Sequence, residues 1–210
     1  MKYQAILFDM DGVVVNSEPL HKQAFEDVFK HYDIKLTDDD FKMHFVGKTD
    51  ERGLEGYSAH SNLQLDTAEF IEKKVKTYHK LASKSLVAYP GLVELVRELS
   101  NQVPLALVTG SLRTETDLVL NTLDIDDCFD IIVTADDVEE GKPSPEGYLR
   151  AVGLLSKDPE ECVVIEDSPA GVSAANEAGI HCIAVTNTHT EAELGHADLI
   201  VDKLEIDLFQ

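Results

Sequence analysis

Short apolar runs rich in β-branched residues recur at Tyr3 to Phe8, Val103 to Val108, Asp130 to Val133, Cys162 to Ile165, Cys182 to Val185 and Asp198 to Val201. Stretches of helical length and period separate most of them. Strands that alternate with helices predict an α/β fold with a mostly parallel sheet covered on both faces. The alternation stops between Asn16 and Ala88, where the pattern is helical and no strand is evident. Leu20, Ala24, Val28 and Tyr32, with Phe25 and Phe29, recur at helical spacing, and a second periodic segment runs from about Asp66 to Leu81 through Phe70, Ile71, Val75 and Tyr78. The expected organisation is therefore a core made of residues 1–15 and 89–210, with a helical subdomain inserted over 16–88. Ser144-Pro145 and Ser168-Pro169 each read as a helix N-cap followed by proline, and Gly179 as a C-terminal stop.

Ligands of open parallel sheets bind beyond the carboxyl ends of the strands, so the residues that end each apolar run carry the chemistry. The first run ends in Asp9, with Asp11 two positions on and Gly12 to turn the chain. The second ends in Thr109, Gly110 and Ser111. Lys142 follows the third within GKPSP, and CVVIEDS ends in Glu166 and Asp167. Repelling carboxylates on one rim make sense around a hard dication such as Mg²⁺, which takes one or two carboxylates, waters and phosphate oxygens. Lys142 would add a point charge for phosphate, and backbone N–H groups at Gly110 and Ser111, at the start of the next helix, would cradle it. Such a site suits phosphoryl transfer, with Asp9 as a nucleophile and Asp11 as general acid and base. Taken singly, each has a plainer reading: a solvated turn for Asp9-Met10-Asp11-Gly12, a surface lysine for Lys142, a strand end and N-cap for Thr109 and Ser111, and a favourable helix start for Glu166-Asp167. Their ordered combination is the stronger signal.

Composition narrows the partners. Forty acidic residues against 18 basic ones give a formal charge of −22, a field that repels nucleic acid and anionic membranes. A phosphate-bearing substrate therefore needs local positive charge. No run approaches a membrane span, and Cys128, Cys162 and Cys182 form no CxxC pair, so reduced core cysteines and a cytoplasmic location are expected. The expected partner is a small phosphate ester and the expected state a monomer. The acidic run Asp136, Asp137, Glu139 and Glu140 could orient Lys142 but reads better as a solvated loop.

Asp9-Met10-Asp11-Gly12-Val13, Thr109 in LVTGS, Lys142 in GKPSPE and Glu166-Asp167 in IEDSPAG resemble the four motifs of the haloacid dehalogenase-like superfamily. The helical insertion after the first motif resembles the cap of its β-phosphoglucomutase and sugar-phosphate phosphatase subgroup. The resemblance implies a Rossmann-like core with an all-helical cap, a nucleophile at Asp9, a general acid/base at Asp11, and phosphate contacts from Thr109 and Lys142. It also implies Mg²⁺ held by Asp9, the backbone carbonyl of Asp11 and Asp167, with Glu166 behind them. In the cap, His21 occupies the place of a histidine that assists proton transfer in the mutases. The substrate loop reads Gly47-Lys48-Thr49-Asp50-Glu51-Arg52, with Asp50 where the mutases carry a phosphate-gripping arginine. Lys48 or Arg52 could supply that grip, while Lys73, Lys74 and Lys76 read as solvated lysines. The expected function is a Mg²⁺-dependent phosphatase acting through an aspartyl-phosphate. The alternatives are a β-phosphoglucomutase-like phosphomutase and a non-catalytic phospho-ligand-binding protein.

Overall fold

The computed structural model describes residues 1–46 and 49–210. All six apolar runs form strands: β1 (Ala5–Phe8), β2 (Leu105–Val108), β3 (Ile131–Val133), β4 (Cys162–Glu166), β5 (His181–Val185) and β6 (Leu199–Val201). They pair in parallel, in the order β3-β2-β1-β4-β5-β6. β1, β2, β3 and β6 start later than their apolar runs do, β4 starts with its run, and β5 starts one residue earlier. In β2 the reason is local, because Pro104 lacks an N–H for the ladder and contributes only its carbonyl, to Ile6 N at 3.2 Å. From β1 the chain moves outward through β2 to β3, then returns to the other side of β1 as β4. The β1/β4 junction is therefore the switch point where doubly wound sheets open a crevice.

The chain divides into two compact units, Met1–Asn16 with Val87–Gln210, and Ser17–Leu86. The sheet belongs to the first, with α5 to α8 (Leu92–Ser100, Arg113–Leu123, Glu146–Leu155 and Pro169–Glu177). β1, β2 and β4 are buried at every position, which explains their unbroken apolar runs. One face packs Ala5, Leu7, Ala106, Val108, Val133 and Val164 with Tyr148, Ala151, Val172 and Ala175 into a core of mainly small and branched side chains. The chain leaves and re-enters this unit side by side, with Asn16 N bonded to Val87 O at 3.1 Å and Tyr89 N to Val14 O at 3.2 Å. The three cysteines are buried free thiols.

The second unit is helical: α1 (Glu18–Lys30), α2 (Asp38–His44), α3 (Asp50–His60) and α4 (Thr67–Ser85). Its core is aromatic. Phe25 lies 4.3 Å from Phe45 between ring centroids, and Phe29 lies 4.6 Å from Phe70 and 5.2 Å from Tyr57. α2 starts at a capping box in which Thr37 and Asp40 satisfy each other's backbone N–H, and Asp66 caps α4 by accepting from Glu69 N at 2.9 Å. Lys74 is not solvated as its composition suggested. It lies on the buried side of α4 with Phe70 and Tyr78, four residues to either side, and is 0% exposed. Among the described residues, no helix is long and apolar enough to cross a membrane.

Two helix starts differ from expectation. Ser168 caps α8, accepting from Gly171 N at 3.1 Å, and Gly179 follows its C-cap at φ +71°. α7, however, begins at Glu146 with Pro145 in the capping position, because Ser144 is drawn into a turn by its N–H bond to Gly141 O. α6 begins at Arg113, two residues beyond Ser111. The Thr109 hydroxyl accepts from Ser111 N at 3.0 Å and holds those residues in a side-chain-closed turn.

Candidate active site

The strand ends of the first unit converge at the switch point. Phe8 pairs with Ile165 and Leu107, and Asp9 N extends the ladder by donating to Ile165 O at 3.0 Å. Asp9 and Glu166 each follow the face-sharing pair Leu7/Val164 by two residues, so both carboxylates emerge on one face. Lys142 lies between them. Its Nζ donates to Asp9 Oδ1 and to Glu166 Oε1, each at 2.6 Å, and to Val108 O at 3.2 Å. All three acceptors of this lysine sit at the carboxyl ends of neighbouring strands.

Glu166 is fully buried and saturated with donors. Besides Lys142 it accepts from Tyr148 OH at 2.8 Å, Asp167 N at 2.9 Å, and Ser168 N and Oγ at 3.0 Å each. Gly171 is required beside it, because a Cβ there would lie 1.6 Å from Glu166 Oε1. Gly12 has the same role beside Asp167: its φ is +83°, and a Cβ would lie 1.9 Å from Asp167 Oδ2. Asp11 accepts from Ser111 Oγ at 2.8 Å, which joins the first and second strand ends.

Asp9, Glu166 and Asp167 place carboxylate oxygens within 4.8 Å of one another, all on buried residues. Burial works to lower the Lys142 pKa, but Asp9 and Glu166 outweigh it and hold the ammonium well above the usual lysine range. Burial alone would raise Glu166; Lys142 and the backbone donors bring it below its usual value. Asp9 is raised well above the carboxylate range by burial, with Lys142 opposing and Glu166 and Asp167 adding to the rise. Burial and Glu166 together lift Asp167 to about 7. One ammonium is thus too little positive charge for this rim, and the ligands offered are all hard oxygen atoms. That chemistry fits a dication such as Mg²⁺ at Asp9 and Asp167, with Glu166 already committed to protein donors.

Of the expected site residues, Asp9, Asp11, Thr109, Ser111, Lys142, Glu166 and Asp167 all lie at these strand ends. Gly110 stands between Thr109 and Ser111 in the turn before α6. In the other unit, His21 Nδ1 lies 2.7 Å from Lys74 Nζ, which also donates to Asp50 Oδ2 at 2.5 Å. Arg52 is exposed, and its backbone N–H donates to Thr49 Oγ1 at the start of α3. Gly47 and Lys48 lie outside the described residues. The acidic run is exposed at Asp136, Glu139 and Glu140, as a solvated loop is, and its backbone is also tied down: Asp136 accepts from Arg113 N, Asp137 from Thr134, and Glu146 from Glu139 N and Glu140 N. Sequence reasoning missed Tyr148, whose position in the first turn of α7 gives no signal. It also missed Asn187, Thr188 and His189, which follow an apolar run whose polar end was there to be read.

A doubly wound domain with acids, a lysine and hydroxyls gathered at its switch point is an α/β enzyme scaffold. The chain belongs to the haloacid dehalogenase-like hydrolases, whose family model matches residues 6–185. It is 33% identical over 204 residues to validoxylamine A 7'-phosphate phosphatase of Streptomyces hygroscopicus subsp. limoneus, covering 96% of this chain and 94% of that protein. It is 36% identical over 182 residues to a phosphorylated carbohydrates phosphatase of Thermotoga maritima, covering 86% and 83%. Among solved structures, a β-phosphoglucomutase of Clostridium difficile is 26% identical with a TM-score of 0.82, covering 99% and 96%.

Proposed function

We propose that the protein is a phosphatase for a small phosphorylated carbohydrate, working through a phosphorylated Asp9. The observation that carries this reading is the bridging of Asp9 and Glu166 by Lys142, which fixes the Asp9 carboxylate at the switch point beside Asp167. A carboxylate oxygen of Asp9 attacks phosphorus, and the ester oxygen leaves with a proton from Asp11. Asp11 then takes a proton from water, which attacks the same phosphorus, releases inorganic phosphate and regenerates Asp9. Thr109 and Lys142 hold the phosphoryl oxygens throughout. Mg²⁺, held by Asp9 and Asp167, would neutralise charge on those oxygens.

The likeness to a β-phosphoglucomutase structure favours a second reading, in which the phosphate returns to another hydroxyl of the sugar. Against it stands Asp50, a carboxylate that neutralises Lys74 and offers nothing to a second phosphate. Phosphorus NMR of the protein with Mg²⁺ and a panel of sugar phosphates, including β-glucose 1-phosphate with a trace of the 1,6-bisphosphate, separates the two. Release of inorganic phosphate that stops on chelation supports the phosphatase. A new phosphate monoester without free phosphate means the mutase.

A further inference from the structure

The loop after β5 grips both halves of the acidic rim. Asn187 Nδ2 donates to Gly12 O at 2.7 Å, holding the turn that carries Asp11. Thr188 Oγ1 donates to Asp167 Oδ2 and lies 3.3 Å from the Asp167 carbonyl oxygen. His189 Nδ1 lies 2.9 Å from that same carbonyl and 2.8 Å from Thr188 Oγ1. A carbonyl oxygen only accepts, so His189 Nδ1 carries a proton and donates it there. The Thr188 hydroxyl, which has one proton to give, is thereby left to orient towards the carboxylate. Gly12 and the Asp167 carboxylate are already pressed together, as the 1.9 Å separation of a hypothetical Cβ shows.

We propose that Thr188 is a positioning residue for the dication site: its hydroxyl holds one oxygen of Asp167 and so presents the carboxylate in a single orientation. The proposal rests on the reading of Asp167 as a metal ligand. Groups bonded to a ligand in this way are tuned with it, since an unheld carboxylate must lose its rotational freedom when the ion binds. Asn187 completes the arrangement by keeping the Asp11–Gly12 turn against the same carboxylate. Thr188 is exposed apart from its hydroxyl contacts, so replacing it leaves the packing of the sheet intact.

The test is Mn²⁺ binding to the full chain, followed by electron paramagnetic resonance of the free ion, with no substrate present. Thr188→Val should weaken Mn²⁺ by about tenfold, Thr188→Ala likewise, and Thr188→Ser should stay within about threefold of the wild type. Unchanged affinity in Thr188→Val or Thr188→Ala overturns the assignment, as does a Thr188→Ser variant no better than Thr188→Val. If the wild type itself binds no Mn²⁺, the metal reading of the rim falls and the proposal with it. If the wild type binds and the variants bind equally, Thr188 alone loses its role.

Discussion

Lys142 in one unit and Lys74 in the other are both drawn into the protein, and the two are neutralised differently. Lys142 keeps 17% of its side chain exposed and is shared by two carboxylates, with Asp167 and Asp11 close behind. Lys74 is 0% exposed and meets one carboxylate, Asp50, together with His21. An ammonium has only donors, so His21 Nδ1 accepts and its own proton sits on Nε2. Burial, and then the Lys74 charge, hold the His21 pKa well below its usual value and keep the ring neutral. The Lys74 cluster is therefore balanced, one charge against one. The rim around Lys142 has acid to spare, and that surplus is what the proposed dication would offset.

The largest expected effect tests the surplus. Asp9→Asn keeps the shape and removes the proposed nucleophile, so phosphate release should fall by at least about a thousandfold while the circular dichroism spectrum is unchanged. Substantial turnover in that variant would remove Asp9 from its role. Asp50→Asn tests the balanced cluster: Lys74 is left as a buried charge without its partner, and urea unfolding should show a loss of about 3 kcal/mol. Equal stability would mean that Lys74 reaches water or another acceptor. Glu166→Gln comes next, because an amide cannot accept from all five donors that now converge on the carboxylate. Phosphate release should drop by about tenfold to a hundredfold, the usual effect of disturbing groups behind a metal site.

The smallest effect is a pH slope. Below about pH 6.5 the unfolded chain protonates His21 and the folded protein does not, so stability present above that pH is lost as the pH falls. Urea midpoints measured at pH 7.5 and 5.5 should differ less in His21→Gln than in the wild type. An identical difference in the two proteins would show that His21 is protonated when folded.

Much of this was legible because it is local. Strand runs, the Ser168 cap, the Gly179 stop and the acids that end β1 and β4 are each determined by neighbours within a few positions. α2 was not read, because periodicity over seven residues is too short to reveal it; the Thr37-x-x-Asp40 box was the signal available. The burial of Lys74 was misread from its charge, when its place four residues from both Phe70 and Tyr78 put it on the apolar face.

Sequence by itself determined which acids, hydroxyls and lysine stand at or just beyond the strand ends, because side-chain type and period act along the chain. Tertiary structure alone decided who partners whom. Lys142 reaches Asp9 across 133 positions and Glu166 across 24. Only the order of strands in the sheet makes those three neighbours, and only their shared burial makes one ammonium too little for the acids around it.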